Sequence, residues 1–200
     1  MARRTLIDFF EDLSGISGEF LVFDDGYRTW SLTYRETTDR ARAFAAQGFH
    51  GVKIKVGFDL DQDIDIVRAV RQELGKDFTV MTDANQGYSV DVGLKAAQAF
   101  SQCGVFWLEE PLFVEDIEGH AQLREKGKIP IAVGENLNTH YAFENFVVRG
   151  AVDFLQPDVA RAGGITGIKK IALLAANHNV NRSEERRVGK VCRSRWWPYH

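Results

Sequence analysis

Acidic residues recur at a nearly constant spacing through the middle of this chain. Each one stands at the end of a short apolar run, and the four are Asp83, Glu109, Glu135 and Asp158. Their separations are 26, 26 and 23 residues, and Lys55 lies 28 residues before the first of them. One polar group therefore recurs once per repeating unit at the same structural position. Three carboxylates that converge at one place would need a cation, and their hard oxygen ligands favour Mg²⁺ or Mn²⁺.

Two lysines share one short strand ahead of this series. In the stretch GVKIKVG the side chains of Lys53 and Lys55 point to one face of the strand, and the valines and the isoleucine point to the other. Neighbouring ammonium groups disfavour each other's charge, so a neutral amine becomes accessible that can act as a general base. Such an amine beside a carboxylate substrate could remove the proton alpha to the carboxylate. The alternative is that both lysines extend into solvent and that each acid alone is a solvated loop charge.

The elements that would position these residues alternate regularly. The apolar runs are GVKIKVG, FTVMTDAN, GVFWLEEP, IPIAVGEN and VDFLQPD, and stretches between them, such as DQDIDIVRAVRQELG, have helical patterning. This alternation is typical of βα units that build a parallel sheet. The carboxyl ends of such strands share one edge, where (β/α)₈ barrels place their active sites. We predict an α/β fold, a partial TIM-type barrel with about five of eight strands, preceded by a short α+β segment.

The ends of the chain have other patterns, and we divide it into residues 1–47, 48–181 and 182–200. The first segment reads as a helix, a strand, a turn, a strand and a helix. Its stretch FDDGYRTWSLTY resembles the N-terminus of adenylate-forming enzymes of the AMP-forming acyl-CoA synthetase family. None of that family's nucleotide-binding signatures follows, so we expect a packing unit without ligase activity. The last segment carries a charge of +4 against −7 for the remainder, and it resembles a translated sequencing-adapter peptide.

Composition excludes several classes of protein. The chain is 44% hydrophobic and 26% charged, which is typical of a globular protein and not of a disordered one. Cys103 and Cys192 are too few for a disulfide framework, which favours the cytoplasm. The chain has no apolar run long enough to span a bilayer, and its N-terminus lacks the apolar core of a secretion signal. We therefore expect neither membrane insertion nor secretion, and no nucleic-acid partner.

Five motifs together resemble one family specifically. KIKVG, DANQGY, WLEEPL, GEN and QPDVARAGGITG occur in the order and spacing of the enolase superfamily, in its mandelate racemase and muconate lactonizing branch. The resemblance covers residues 48–181. It implies a TIM barrel, Mg²⁺ as cofactor, proton abstraction alpha to a carboxylate, and homo-oligomers for complete members. The GEN and PDVARAGG motifs favour the mandelate racemase subgroup, many of whose members dehydrate acid sugars.

The resemblance also assigns roles to residues. The metal ligands would be Asp83, Glu109 and Glu135. Lys55 would be the base, and Lys53 its charged neighbour in contact with the substrate carboxylate.

Further roles fall on three residues beyond the strand ends. Asn85 would contact substrate, and Asp158 would orient a histidine on the following strand as a second acid/base. Arg161, near the mouth of the barrel, could bind a carboxylate. The partner histidine should lie just beyond Val180, where the last segment begins, and His178 precedes that strand and reads as an ordinary loop residue.

Three functional hypotheses remain open from the sequence. The first is a Mg²⁺-dependent lyase or isomerase acting on a small carboxylate, with acid-sugar dehydration favoured. The second is an inactive truncated or chimeric remnant of such an enzyme, because a capping domain and the later strands are not recognisable. The third is a fragment of an adenylate-forming ligase, which would require ATP binding although the sequence contains no phosphate-binding loop.

Overall fold

The computed structural model describes residues 51–183 in full and, of the earlier chain, the backbone of two strands. These strands are β1 (Glu19–Asp24) and β2 (Thr29–Thr33), which pair antiparallel. Their positions agree with the two strands predicted for the N-terminal segment. The helices predicted on either side of them, and nearly all of residues 182–200, lie outside the described residues. The division of the chain into three segments therefore stays a prediction.

Six parallel strands in the described region form one sheet and are hydrogen-bonded in the order of the chain. The strands are β3 (Gly51–Lys55), β4 (Thr79–Asp83), β5 (Leu108–Glu109), β6 (Ile131–Val133), β7 (Phe154–Leu155) and β8 (Asn181–Arg182). The connecting helices are α1 (Leu60–Leu74), α2 (Val90–Gln102), α3 (Ile117–Gly127), α4 (Thr139–Val148) and α5 (Gly164–His178). This is the predicted α/β fold, consistent with part of a TIM-type barrel.

The structure has one strand more than the sequence patterning predicted. Asn181 and Arg182 form β8, in parallel register with Phe154 and Leu155 of β7. The apolar signal of a strand is missing there because both β8 residues are polar and exposed. The predicted boundary between residues 181 and 182 therefore falls inside a strand.

Local signals in the sequence set the ends of the first helix. Asp59 precedes α1, and its carboxylate accepts the Gln62 N–H at 3.0 Å, which satisfies one of the free donors of the first turn. Gly75 follows the helix with φ of 75°, and its N–H donates to the Arg71 carbonyl at 3.0 Å. The Arg71 guanidinium then donates to the Cys103 carbonyl at 2.8 Å, so the end of α1 is held against the turn that follows α2.

The hydrophobic core lies between the sheet and the helices. Fully buried members from both layers are Val67, Val80, Phe100, Leu108, Leu123, Ile131, Phe143, Leu155 and Ile171. Burial of each such side chain contributes on the order of 1.5–3 kcal/mol, which is what holds the helices on the sheet. Within the part of the chain that the structure describes, no helix combines the length and the apolar character needed to cross a membrane.

The register of the sheet brings polar residues of three strands into line. Lys55 pairs with Asp83, and Asp83 pairs with Glu109 on the next strand. Glu109 in turn lies beside Ala132 of β6, three residues before Glu135. The carboxyl ends of β3 to β6 therefore present one basic and several acidic side chains at a single edge.

Candidate active site

Three carboxylates converge at the carboxyl edge of the sheet. Asp83 ends β4, Glu109 ends β5, and Glu135 lies two residues beyond β6. One carboxylate oxygen from each lies within 4.8 Å of the other two. Asp83 and Glu109 are fully buried, whereas Glu135 is half-buried. The 26-residue spacing therefore does bring these three acids together.

A close approach of two strands places Glu135. Gly134 has φ of 156°, and a Cβ atom at this position would lie 2.4 Å from the backbone of Gln156. Any side chain would therefore force β6 and β7 apart. The glycine lets the chain pass against β7 and turn, so that the residue after it reaches the other two acids.

Both lysines of β3 reach these acids, as the alternation along the strand predicts. The Lys53 ammonium lies 2.8 Å from Glu109 Oε1 and 3.3 Å from Asp83 Oδ2. Lys55 Nζ donates to Asp83 Oδ2 at 2.6 Å. The two lysine side chains are 31% and 45% exposed, so one side of the charge cluster faces solvent. The lysines are thus paired with carboxylates and do not simply extend into solvent.

Burial disfavours the charged form of Glu109. Loss of contact with water, and the nearby Asp83 carboxylate, raise the pKa of Glu109 to about 7. The Lys53 ammonium and the Gln156 amide, which donates to Glu109 Oε2 at 3.0 Å, oppose this rise. A divalent cation held by these acids would favour their ionised forms.

The loop residues predicted to contact substrate lie around the acids. Asn85 is exposed, has φ of 40°, and donates its backbone N–H to Asp83 Oδ1 at 3.0 Å. Arg161 is exposed on the β7–α5 loop, and its guanidinium donates to Asn136 Oδ1 at 2.8 Å. Asn85 therefore lies two residues after Asp83, and Arg161 contacts the residue that follows Glu135.

Asp158 is buried at the start of the β7–α5 loop. Its Oδ1 accepts the N–H of Ala160 at 2.7 Å and that of Arg161 at 3.3 Å, so this carboxylate orders the loop. In the described residues after it, the one histidine is His178, which is exposed at the end of α5. A role for Asp158 in orienting a histidine stays a prediction.

Sequence reasoning missed two buried side chains in this region. Gln156 donates to Glu109, and its Oε1 has no hydrogen-bond partner among the described residues. Glu110 is fully buried and contacts the loop of Glu135. The motifs QPD and EEP contain both residues, and the period of two along a strand could have placed Gln156 on the same face as other residues of the site.

The three acids fit a magnesium ion. They offer only carboxylate oxygens, the ligands that Mg²⁺ prefers, and Mg²⁺ usually keeps several further positions for water or substrate. Oxygens bound to Mg²⁺ at about 2.1 Å lie at most about 4.2 Å apart. The 4.8 Å limit on the distances between the acids is close to that value, so small side-chain rotations would bring them around one ion.

Comparison with known families and sequences agrees with this geometry. The family described as Enolase C-terminal domain-like matches residues 36–184. D-galactarolactone cycloisomerase of Agrobacterium fabrum is 40% identical over 135 residues, which are 68% of this chain and 36% of that enzyme.

Two solved structures resemble the chain closely. A racemase from Streptomyces coelicolor with bound magnesium has a TM-score of 0.73 and 38% identity, over 75% of this chain and 42% of that one. L-talarate dehydratase from Polaromonas sp. JS666, complexed with Mg and L-glucarate, has a TM-score of 0.70 and 37% identity, over 72% and 41% of the two chains. The chain thus spans well under half the length of these relatives.

Proposed function

Because the chain belongs to the enolase C-terminal domain-like family, we propose that its carboxyl-edge site removes a proton alpha to a carboxylate in a Mg²⁺-dependent reaction. We propose an acid sugar as substrate and dehydration as the outcome. The observation that carries this proposal is the position of Lys55, 2.6 Å from one of three converging carboxylates. The bound Mg and L-glucarate in the Polaromonas dehydratase support the cofactor and the substrate class.

The acids and the two lysines of the site have different roles in this proposal. Asp83, Glu109 and Glu135 would hold Mg²⁺, which supplies Lewis-acid stabilisation of negative charge on the substrate. Lys55 Nζ accepts the alpha proton, which requires the neutral amine. Lys53 stays charged against Glu109 and faces the substrate carboxylate, so the two lysines divide proton transfer and charge pairing between them.

Residues on the loops would set orientation. Asn85 is the proposed hydrogen-bonding partner of a substrate hydroxyl or carboxylate. Arg161 has five N–H donors, and the contact with Asn136 leaves several of them for a carboxylate at the far end of a diacid. Asp158 would orient an acid/base group on the opposite face of the substrate carbon.

A second candidate is a remnant of such an enzyme that retains the metal site without turnover. One observation favours it: among the described residues, the end of β8 carries no histidine. In this case Mg²⁺ would bind at the three acids, but proton transfer on one face of the substrate would lack a partner.

We further propose a cytoplasmic location and a small-molecule partner. Cys103 is a free, half-buried thiol, which suits a reducing compartment. Oligomerisation of the complete protein is part of the same proposal.

Deuterium exchange tests the proposal directly. Purified protein is incubated in D₂O with Mg²⁺ and a panel of acid sugars, and mass spectrometry follows alpha-deuterium incorporation and loss of water. We expect both in the wild type and in Lys95→Met, an exposed lysine on α2, and neither in Lys55→Met. If the wild type shows neither while the Polaromonas dehydratase is active in parallel, the remnant is the correct reading.

A further inference from the structure

Glu110 is a fully buried acid whose side chain is hydrogen-bonded to the loop that carries Glu135. It follows Glu109 directly, and its Oε1 accepts the backbone N–H of Asn136 at 3.0 Å and that of Gly134 at 3.4 Å. Its other oxygen accepts from the Asn136 side-chain amide. The residue between these two donors is Glu135. We infer that Glu110 is a positioning residue, which fixes the loop at residues 134–136 so that Glu135 faces the other two acids.

The direction of the hydrogen bonds requires an acceptor at Glu110. Arg161 has only donors, so the Asn136 side chain must present its carbonyl oxygen to Arg161 and its amide N–H to Glu110. Together with the two backbone N–H groups, three donors converge on Glu110. A carboxylate can accept them with both oxygens, whereas an amide would place its own N–H group against one of the donors.

The backbone of Glu110 supports the same reading. Its φ of 37° is in the left-handed region, where a residue with a side chain is strained and glycine is not. Its N–H donates to the Ala132 carbonyl at 2.9 Å, and its carbonyl accepts the Gln86 N–H at 2.7 Å. Glycine would suit this backbone better but would lose every contact to the 134–136 loop. The strained backbone of Glu110 therefore occurs at the position whose side chain connects the end of β5 to the loop after β6.

This inference rests on the proposed metal site, because its consequence is a change in Mg²⁺ affinity. A half-buried ligand on a loop must be ordered before it can bind, and the loop of Glu135 is ordered by Glu110. Loss of a group that orients a metal ligand typically lowers metal affinity by about 10- to 100-fold. Glu110 itself does not touch the ion, so the effect would pass entirely through the position of Glu135.

The opposite end of β6, the strand that precedes the Glu135 loop, offers a matched control. Asp153 is a carboxylate that accepts the Ile131 N–H at the start of β6 at 2.9 Å and pairs with Arg124 at 2.7 Å. It thus holds β6 with similar bonds, far from the acids at the other end. Glu110→Gln and Asp153→Asn each replace one oxygen by an NH₂ group and keep the shape of the side chain.

The experiment compares these two variants with the wild type by two measurements. Titration calorimetry with Mg²⁺ alone gives the affinity, and amide hydrogen exchange in the metal-free protein gives the protection of Gly134, Glu135 and Asn136. We expect Glu110→Gln to lower Mg²⁺ affinity by about tenfold or more and to speed exchange at these three amides. Asp153→Asn should leave both near their wild-type values.

The outcomes separate this inference from the proposed function. Equal losses of affinity in the two variants, or unchanged exchange at residues 134–136 in Glu110→Gln, would overturn the positioning role. If the wild type itself binds no Mg²⁺, the metal site fails, and the exchange measurement then decides alone whether Glu110 fixes the loop.

Discussion

Two side chains near β5 have very different surroundings. Glu109, at the carboxyl end of the strand, is buried between Asp83 and Lys53. Trp107, two residues earlier, packs against the rings of Phe106 and Phe154. Since side chains two apart share a face of a strand, both groups lie on the same face of the sheet. One end of that face is charged and the other is aromatic. The charged end carries the proposed metal site, and the aromatic end supplies apolar contact.

The two ends bury different polar groups, and each leaves one atom without a hydrogen-bond partner among the described residues, which at the charged end is Gln156 Oε1. At the carboxyl end, each buried acid of the site has at least one donor or ammonium group against it. At the aromatic end, the indole N–H of Trp107 is buried with no hydrogen-bond partner among the described residues. Apolar contact must therefore outweigh the cost of that unpaired donor. The comparison suggests that stability and metal binding depend on separate ends of one face, which substitutions can test.

The largest expected effect is on stability at the aromatic end. Trp107→Ala should lower the free energy of unfolding by about 3–5 kcal/mol, because a large ring that is 8% exposed leaves a cavity between two others. Mg²⁺ affinity of the folded variant should stay close to the wild type. Urea unfolding and Mg²⁺ titration measure the two quantities, with the exposed Phe113→Ala as the control. A matching loss of Mg²⁺ affinity would show that the two ends are coupled.

A smaller effect is expected at the charged end, where a substitution should weaken Mg²⁺ binding and stabilise the metal-free protein. Glu109→Gln should weaken Mg²⁺ binding by about 10-fold or more, since it removes a charged ligand. The same change should raise the stability of the metal-free protein near pH 8, because burial beside Asp83 disfavours the charge of Glu109 and raises its pKa to about 7. Thermal unfolding with and without Mg²⁺ measures both changes. Loss of stability in the metal-free state would mean that the contact with Lys53 outweighs the cost of burial.

The smallest effect concerns a buried ionisable group in the helical layer. His120 is fully buried, its ring packs edge-on against Phe146, and its Nε2 has no partner among the described residues. Burial lowers the pKa of His120 from 6.5, with the Asp116 carbonyl opposing this shift. Because the unfolded chain takes up the proton more readily, stability is fully present above about pH 6.5 and decreases as the pH falls below it.

The test for His120 is the pH dependence of unfolding. Melting temperatures of the wild type and of His120→Gln are measured between about pH 7.5 and 5.5. We expect the wild type to lose more stability over this interval than the variant, whatever the variant costs at neutral pH. Parallel curves would assign the pH dependence to other groups and not to His120.

Much of the fold followed from patterns that are local in the chain. The apolar runs and helical stretches correctly predicted β3 to β7 and the helices between them, because burial of a parallel strand requires a run of apolar residues. The apolar patterning did not predict β8, since Asn181 and Arg182 are polar and exposed where they pair with β7. A strand without buried side chains has no apolar pattern to detect.

The candidate site, too, was predictable from the sequence only in part. The spacing of Asp83, Glu109 and Glu135 was enough to expect that they meet, because parallel strands align their carboxyl ends. The spacing did not indicate which acid each lysine contacts. Lys53 pairs mainly with Glu109, two strands away, which depends on the twist and curvature of the sheet.

The sequence by itself determined that acidic groups recur at one edge of a parallel sheet, beside two lysines on one strand face. Period-two alternation and regular βα spacing are properties of the chain, and they need no knowledge of long-range contacts. Only the tertiary structure decided that Glu109 pairs with Lys53 while its neighbour Glu110 binds the loop of Glu135. Both residues are buried acids in the same motif, and the partners that distinguish them come from β3 on one side and from the loop after β6 on the other.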